Sequence, residues 1–162
     1  MNSIKKIGII GAGKHFQKNI YPILKKSKLF KISTFLKHKK RNFKEHTFVN
    51  ENNFFKENLD FVYIATPNSS HDKYIIKSLE ANFHVICEKP FVIKKKNVKK
   101  ILDLSKNKKK LIFEAFMYMY HPVFIEIKKI IKSSKFGKLK YIVSNWKHPS
   151  LDKKNNQYNK NL

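Results

Sequence analysis

Short apolar runs alternate with amphipathic stretches along most of this chain. Ile4 to Ile10 reads as a buried strand, which Gly11-Ala12-Gly13 breaks. His15 to Lys28 follows as a helix with Ile20, Ile23 and Leu24 on one face. Phe30 to Leu36 is a second strand, and His46 to Val49 a short third. Asn50 is placed to cap a helix that carries Phe54 and Phe55. Asp60 to Ala65 is a strongly apolar strand that Thr66-Pro67-Asn68 turns out of the sheet. Ser70 can cap the next helix, which runs to Asn82 with Tyr74, Ile75 and Leu79 inward. Phe83 to Cys87 is a fifth strand. Lys94 to Lys106 is a helix bearing Val98, Ile101, Leu102 and Leu104, and Lys110 to Phe116 is a sixth strand. Pro122 to Ser134 is helical up to Gly137, and Leu139 to Trp146 is a further strand.

Nearly continuous apolar strands separated by helices predict a parallel sheet covered on both faces. Six of them suit a doubly wound α/β arrangement of the Rossmann type. The strand at 139–146 has no partner in such a sheet and reads as the start of a second domain. The expected division is therefore residues 1–120 and residues 121–162, the latter being the truncated opening of that domain.

Charge changes this picture little. The 162 residues carry a formal net charge of +25, which raises the question of nucleic acid. Arg41, however, is the single arginine among 36 basic residues, and the lysines fall on every helix face. Groove readers rely on the planar fork of arginine. Abundant Lys, Asn, Ile and Phe with scarce Gly and Arg is what A- and T-rich codons give, so nucleic-acid binding is not expected. Cys87 is the only cysteine, which excludes an internal disulfide and a CxxC metal site; no metal is expected, and a reducing cytoplasmic setting is the default. No apolar run reaches the length of a membrane span.

Four segments carry candidate chemistry. Gly8, Gly11 and Gly13 are three of the four glycines in the chain. Gly11 suits the turn out of the strand, and Gly13 lets a phosphate approach the backbone. The amides of Lys14, His15 and Phe16 would then meet a pyrophosphate at a helix start. Phe16 stands where such loops often have a third glycine. The stretch after the second strand, Leu36 to Arg41, has no acid to meet a ribose hydroxyl. Lys37, Lys39 and Arg41 would instead meet a 2'-phosphate, which tilts the expectation toward NADP over NAD. The turn from Thr66 through Pro67 and Asn68 to His71 lies at a strand's carboxyl end, where such sheets hold ligands. The fourth segment is Cys87-Glu88-Lys89-Pro90: Lys89 can polarise a carbonyl or donate a proton, and Pro90 is a candidate for a cis bond.

Taken in order, Lys6 to Gly13, Asp60 to His71, His84 to Pro90 and Glu114 to Pro122 resemble the Gfo/Idh/MocA oxidoreductases, and Gly137 to Ile142 is similar to the start of that family's second domain. The Glu114-Ala-Phe-Met-Tyr segment is similar to the dihydrodiol and xylose dehydrogenase branch. The resemblance implies an NAD(P)-dependent dehydrogenase that exchanges hydride with a sugar, polyol or related carbonyl, and a homo-oligomer for the full-length form. It implies that Thr66, Pro67, Asn68 and His71 lie by the cofactor. Glu88 and Lys89 would sit beside the nicotinamide with Lys89 catalytic, and Tyr118 and His121 near the substrate. The family often carries Arg where Met119 stands. Its substrate domain, largely an antiparallel sheet, extends beyond the length of this chain. A stand-alone dinucleotide-binding module without catalysis is the alternative, and a basic nucleic-acid-binding protein a third.

Overall fold

The structure is a computed structural model that describes residues 3–36, 47–133 and 135–145, with the side chain of Phe48 left aside. Six parallel strands form one sheet: β1 (Lys5–Ile10), β2 (Phe30–Leu36), β3 (Thr47–Val49), β4 (Phe61–Ile64), β5 (His84–Cys87) and β6 (Ile112–Glu114). Their spatial order is β3-β2-β1-β4-β5-β6, the doubly wound order expected of a Rossmann sheet. The chain reverses its direction of winding between β1 and β4, so the crevice for a ligand opens at their carboxyl ends.

The helices that cover this sheet are α1 (Tyr21–Lys26), α2 (Glu51–Phe54), α3 (His71–Glu80) and α4 (Lys95–Lys108). Alternation along β1 feeds two cores. Ile7 and Ile9 join Phe16, Leu24, Phe35 and Tyr63 on one face, while Ile10 joins Phe54, Val62, Ile64, Ile75, Leu79 and Ile101 on the other. β1, β2, β4 and β5 are thus apolar on both sides, which is why these strands read as runs rather than alternations. Asn50 caps α2 as expected, its Oδ1 accepting from the Asn53 amide at 3.0 Å. Tyr74, Ile75 and Leu79 of α3 are buried.

Three expectations are corrected. The helix after the glycine turn is not uniform: residues 16–20 (Phe16–Ile20) form a π-helix before α1 begins. The wider turn shifts the face that meets the sheet, so Leu24 is buried while Ile23 is exposed. Ser70 occupies the position before α3 but does not cap it; its hydroxyl donates to Pro67 O at 2.8 Å and meets Thr66 Oγ1 at 2.9 Å. Residues 139–145 form no strand, and Leu139, Tyr141, Ile142 and Val143 are exposed, with no sheet partner among the described residues. A strand needs a neighbour to take its hydrogen bonds.

The chain divides into two compact units, Met1–Ala115 and Phe116–Leu162. In the second, a 3-10 turn (Met117–Tyr120) leads into α5 (Pro122–Lys132).

Candidate cofactor-binding site

Three loops leave the carboxyl edge of the sheet side by side, after β1, β4 and β5. The first is the glycine turn. Gly11 has φ of +89°, and a Cβ there would lie 2.6 Å from Ala65 O, so both conformation and space require glycine. Gly8 is held by packing: a Cβ would lie 2.5 Å from Leu59 Cδ1 and 2.8 Å from Phe54 Cζ. Gly137 also has positive φ, +80°. Gly13 differs from all of these, since a Cβ there meets nothing within 4 Å and its φ is not in the left-handed region. Gly13 O accepts from the Gln17 amide at 3.0 Å, so the amides of Lys14, His15 and Phe16 precede that bond, as helix-start donors do. Gln17 Nε2 donates to Ala12 O at 2.7 Å and steadies the turn. The Phe16 ring is fully buried against Tyr21, Phe35 and Tyr63, so this residue offers a ligand its backbone only.

The second loop continues β4. Thr66 is half-buried and Pro67 and Asn68 are exposed. His71, expected beside a cofactor, is instead 0 % exposed, with Nδ1 2.9 Å from Pro90 O and Nε2 3.1 Å from Thr66 O. Both ring nitrogens face backbone carbonyl oxygens of the flanking loops. In this arrangement the ring offers no polar atom to a ligand. It fastens the β4 loop to the β5 loop.

The third loop is Glu88-Lys89-Pro90. The Lys89–Pro90 bond is cis, as the proline suggested. Lys89 is exposed, whereas Glu88 is buried. Glu88 Oε1 accepts from the Tyr63 hydroxyl at 2.5 Å and lies 3.2 Å from His15 Nε2. Burial, followed by the Glu88 carboxylate, holds the Tyr63 hydroxyl far above the ordinary phenol range, so it remains a donor. Burial also pushes the Cys87 thiol well up, with Glu88 and Glu114 adding to it, which makes Cys87 a core residue rather than a nucleophile.

The loops after β1, β4 and β5 therefore bring together Gly11, Gly13, Lys14, His15, Phe16, Thr66, Pro67, Asn68, Glu88 and Lys89 at one edge. Lys37, Lys39 and Arg41 lie outside the described residues. Tyr118 and His121 belong to the second unit. There His121 Nδ1 accepts from the Val123 amide at 3.3 Å and caps α5. Tyr63 and Asn19 were not singled out from the sequence. A tyrosine inside a fully buried strand was the available signal, because its hydroxyl must find a partner. Among the described residues no cluster of His, Cys, Asp and Glu could hold a metal, and no helix is long and apolar enough to cross a membrane.

A doubly wound parallel sheet with a glycine turn at its switch point defines the Rossmann class of nucleotide-binding folds. Within that class the chain belongs to the Gfo/Idh/MocA family: the family model described as "Oxidoreductase family, NAD-binding Rossmann fold" matches residues 5–116. Among curated proteins it is 36% identical over 80 residues to a D-xylose 1-dehydrogenase (NADP(+)) of Hypocrea jecorina, an alignment covering 49% of this chain and 20% of that protein. It is 34% identical over 70 residues to the scyllo-inositol 2-dehydrogenase (NADP(+)) IolU of Bacillus subtilis, covering 43% of this chain and 21% of that one. Among solved structures, KijD10, a 3-ketoreductase from Actinomadura kijaniata in complex with TDP-benzene and NADP, superposes with a TM-score of 0.75 at 20% identity, covering 83% of this chain and 45% of that one. The solved chain yhhX does so with a TM-score of 0.75 at 20% identity, covering 98% of this chain and 51% of its own. The matches thus span about a fifth of these curated relatives and about half of these solved chains.

Proposed function

We propose that residues 1–120 bind a nicotinamide dinucleotide, NADP in preference to NAD, as the cofactor half of a sugar- or polyol-directed oxidoreductase. Gly13 carries this reading. In a chain with four glycines, three have a steric or conformational reason to be glycine, and Gly13 alone has neither. The space above it fits a group that belongs to a ligand, and the helix-start amides beside it suit an anion. Gly11, Gly13 and the amides of Lys14, His15 and Phe16 would hold the pyrophosphate. Thr66, Pro67, Asn68, Glu88 and Lys89 would line the path to the nicotinamide, and Lys37 would meet the 2'-phosphate. The NADP named in both curated relatives and in the solved ketoreductase supports the preference.

The dinucleotide, when bound, supplies a hydride acceptor or donor. The protein's part is positioning and proton management: Lys89 Nζ would hold or give the proton on the substrate oxygen as that oxygen changes between alcohol and carbonyl. Residues 121–162 would open the substrate domain, with Tyr118 and His121 near the substrate.

Calorimetric titration with NAD⁺ and NADP⁺ tests the first part. Micromolar binding is expected for the parent. Gly13→Val is expected to lose it while keeping the parent's urea midpoint, because a Cβ at this position meets nothing within 4 Å. Retained affinity in that variant would remove the glycine turn from the site. The second part is tested by turnover on a polyol panel with a C-terminal half of a relative supplied in trans. Lys89→Ala should keep cofactor affinity and lose roughly two to four orders of magnitude in rate. Unchanged turnover excludes Lys89. DNA binding with a steep salt slope and no dinucleotide binding would instead favour the basic-protein reading.

A further inference from the structure

We propose that His15 acts through its side chain as a positioning residue for the cofactor crevice, by holding Glu88 and so tying the glycine loop to the β5 loop across the end of β4. The proposal rests on the dinucleotide reading above and assigns that site a residue which the glycine motif does not require.

Among the described residues Glu88 is the only buried carboxylate, and its side chain is 11% exposed. A carboxylate so placed needs donors, because the charge is otherwise expensive to keep from water. Oε1 accepts from the Tyr63 hydroxyl beneath it, and His15 Nε2 of the glycine loop stands 3.2 Å from the same oxygen. Oε2 is engaged by no described residue. Protein groups therefore crowd one oxygen, and the other is left as the acceptor for a hydrogen-bond donor of the ligand.

The His15 ring is set for this task from its other side. Nδ1 lies 3.0 Å from Asn19 Nδ2, one helical turn on, and an amide nitrogen can only donate. Nδ1 must then accept, and the proton sits on Nε2, which faces Glu88. Asn19 thus fixes the tautomer that Glu88 needs, the same logic by which a second partner orients an imidazole elsewhere. The three residues Asn19, His15 and Glu88 form a chain from the first helix to the β5 loop, bridging the strand order β1-β4-β5. Without it, the loop that would grip the pyrophosphate and the loop beside the nicotinamide are joined only through the sheet and through the β4 loop, to which His71 fastens the latter.

The experiment compares the parent, His15→Ala, His15→Gln and Glu88→Gln, and the double variant His15→Ala/Glu88→Gln, by calorimetric titration with NADP⁺ and NAD⁺ and by thermal melting. His15→Ala is expected to raise Kd about tenfold, the scale of one lost polar contact to a carboxylate. Its melting temperature should remain at the parent value, because the side chain is 46% exposed and belongs to neither apolar core. His15→Gln, whose amide nitrogen reaches about as far as Nε2, should recover most of the affinity. The double variant should bind no worse than the weaker single. Imidazole nitrogen NMR at neutral pH should report the Nε2–H form for His15 and a changed signal in Glu88→Gln. Parent-like affinity in His15→Ala, no rescue by glutamine, or the opposite tautomer would overturn the proposal and leave the cofactor reading standing. A parent that binds neither dinucleotide would overturn both.

Discussion

Glycine at position 11 and glycine at position 13 sit two residues apart and answer to different constraints. At residue 11 the backbone is left-handed and the Ala65 peptide is in contact distance of any Cβ. Gly11→Ala should therefore destabilise the fold by about 2 kcal/mol or more, from backbone conformation and from displacement of the β4 exit. Urea unfolding measures this, and a parent-like midpoint would mean that the turn can reshape at no cost. The sequence made the glycine string legible but not this division of labour, since both positions look alike until neighbours are known. His71 was equally opaque. Its place after a strand suggested a ligand contact, while the partner that occupies Nδ1, Pro90 O, arrives 19 residues later. His15 and Glu88 are further apart still in sequence, and no local pattern links them.

At the level of elements, strands were the readable part. β1, β2, β4 and β5 are buried on both faces, and such strands leave unbroken apolar runs. Helix register was less readable where a π segment intervened, because one wide turn rotates every later side chain. The contact between β5 and the start of β6 is a case where an element junction has a titratable centre. The Leu111 amide donates to His84 Nδ1 at 2.9 Å, which requires that nitrogen unprotonated. Burial lowers the His84 pKa below the ordinary histidine value, helped by Lys110 and Lys5 and opposed by Asp60. The unfolded chain thus takes up this proton more readily than the folded one. Stability from this site is present above about pH 6.5 and is lost as pH falls through that value toward the lower folded one. Melting between about pH 7.5 and about pH 5.5 should show the parent falling further than His84→Asn, whose side-chain oxygen can accept from Leu111 without titrating. Equal slopes would remove His84 from the pH response.

For the whole molecule, the uneven distribution of apolar surface decides behaviour in solution. The first unit builds two apolar cores and exposes large apolar side chains singly, such as Ile23, Leu29 and Leu111, whereas α5 of the second leaves Val123, Phe124, Ile127, Ile130 and Ile131 between 43% and 55% exposed along one helix. Surface of that kind binds hydrophobic dyes and promotes association. The net charge of +25 opposes association by repulsion, and salt screens that repulsion. Native-state dye fluorescence and light scattering should therefore both be high and rise with salt. The pair Ile127→Lys and Ile131→Lys, one turn apart on α5, should lower both without moving the melting temperature. Scattering that stays unchanged would assign the association to another surface.

The separation between glycines kept by packing and the one kept by nothing in the protein has an evolutionary corollary. Lineages that abandon the dinucleotide should erode in a fixed sequence: residue 13 drifts first, with no penalty to folding, while residues 8 and 11 stay pinned by Leu59, Phe54 and the Ala65 peptide. In a chain with only four glycines, occupancy of that single position becomes a marker by which working descendants can be told from relics.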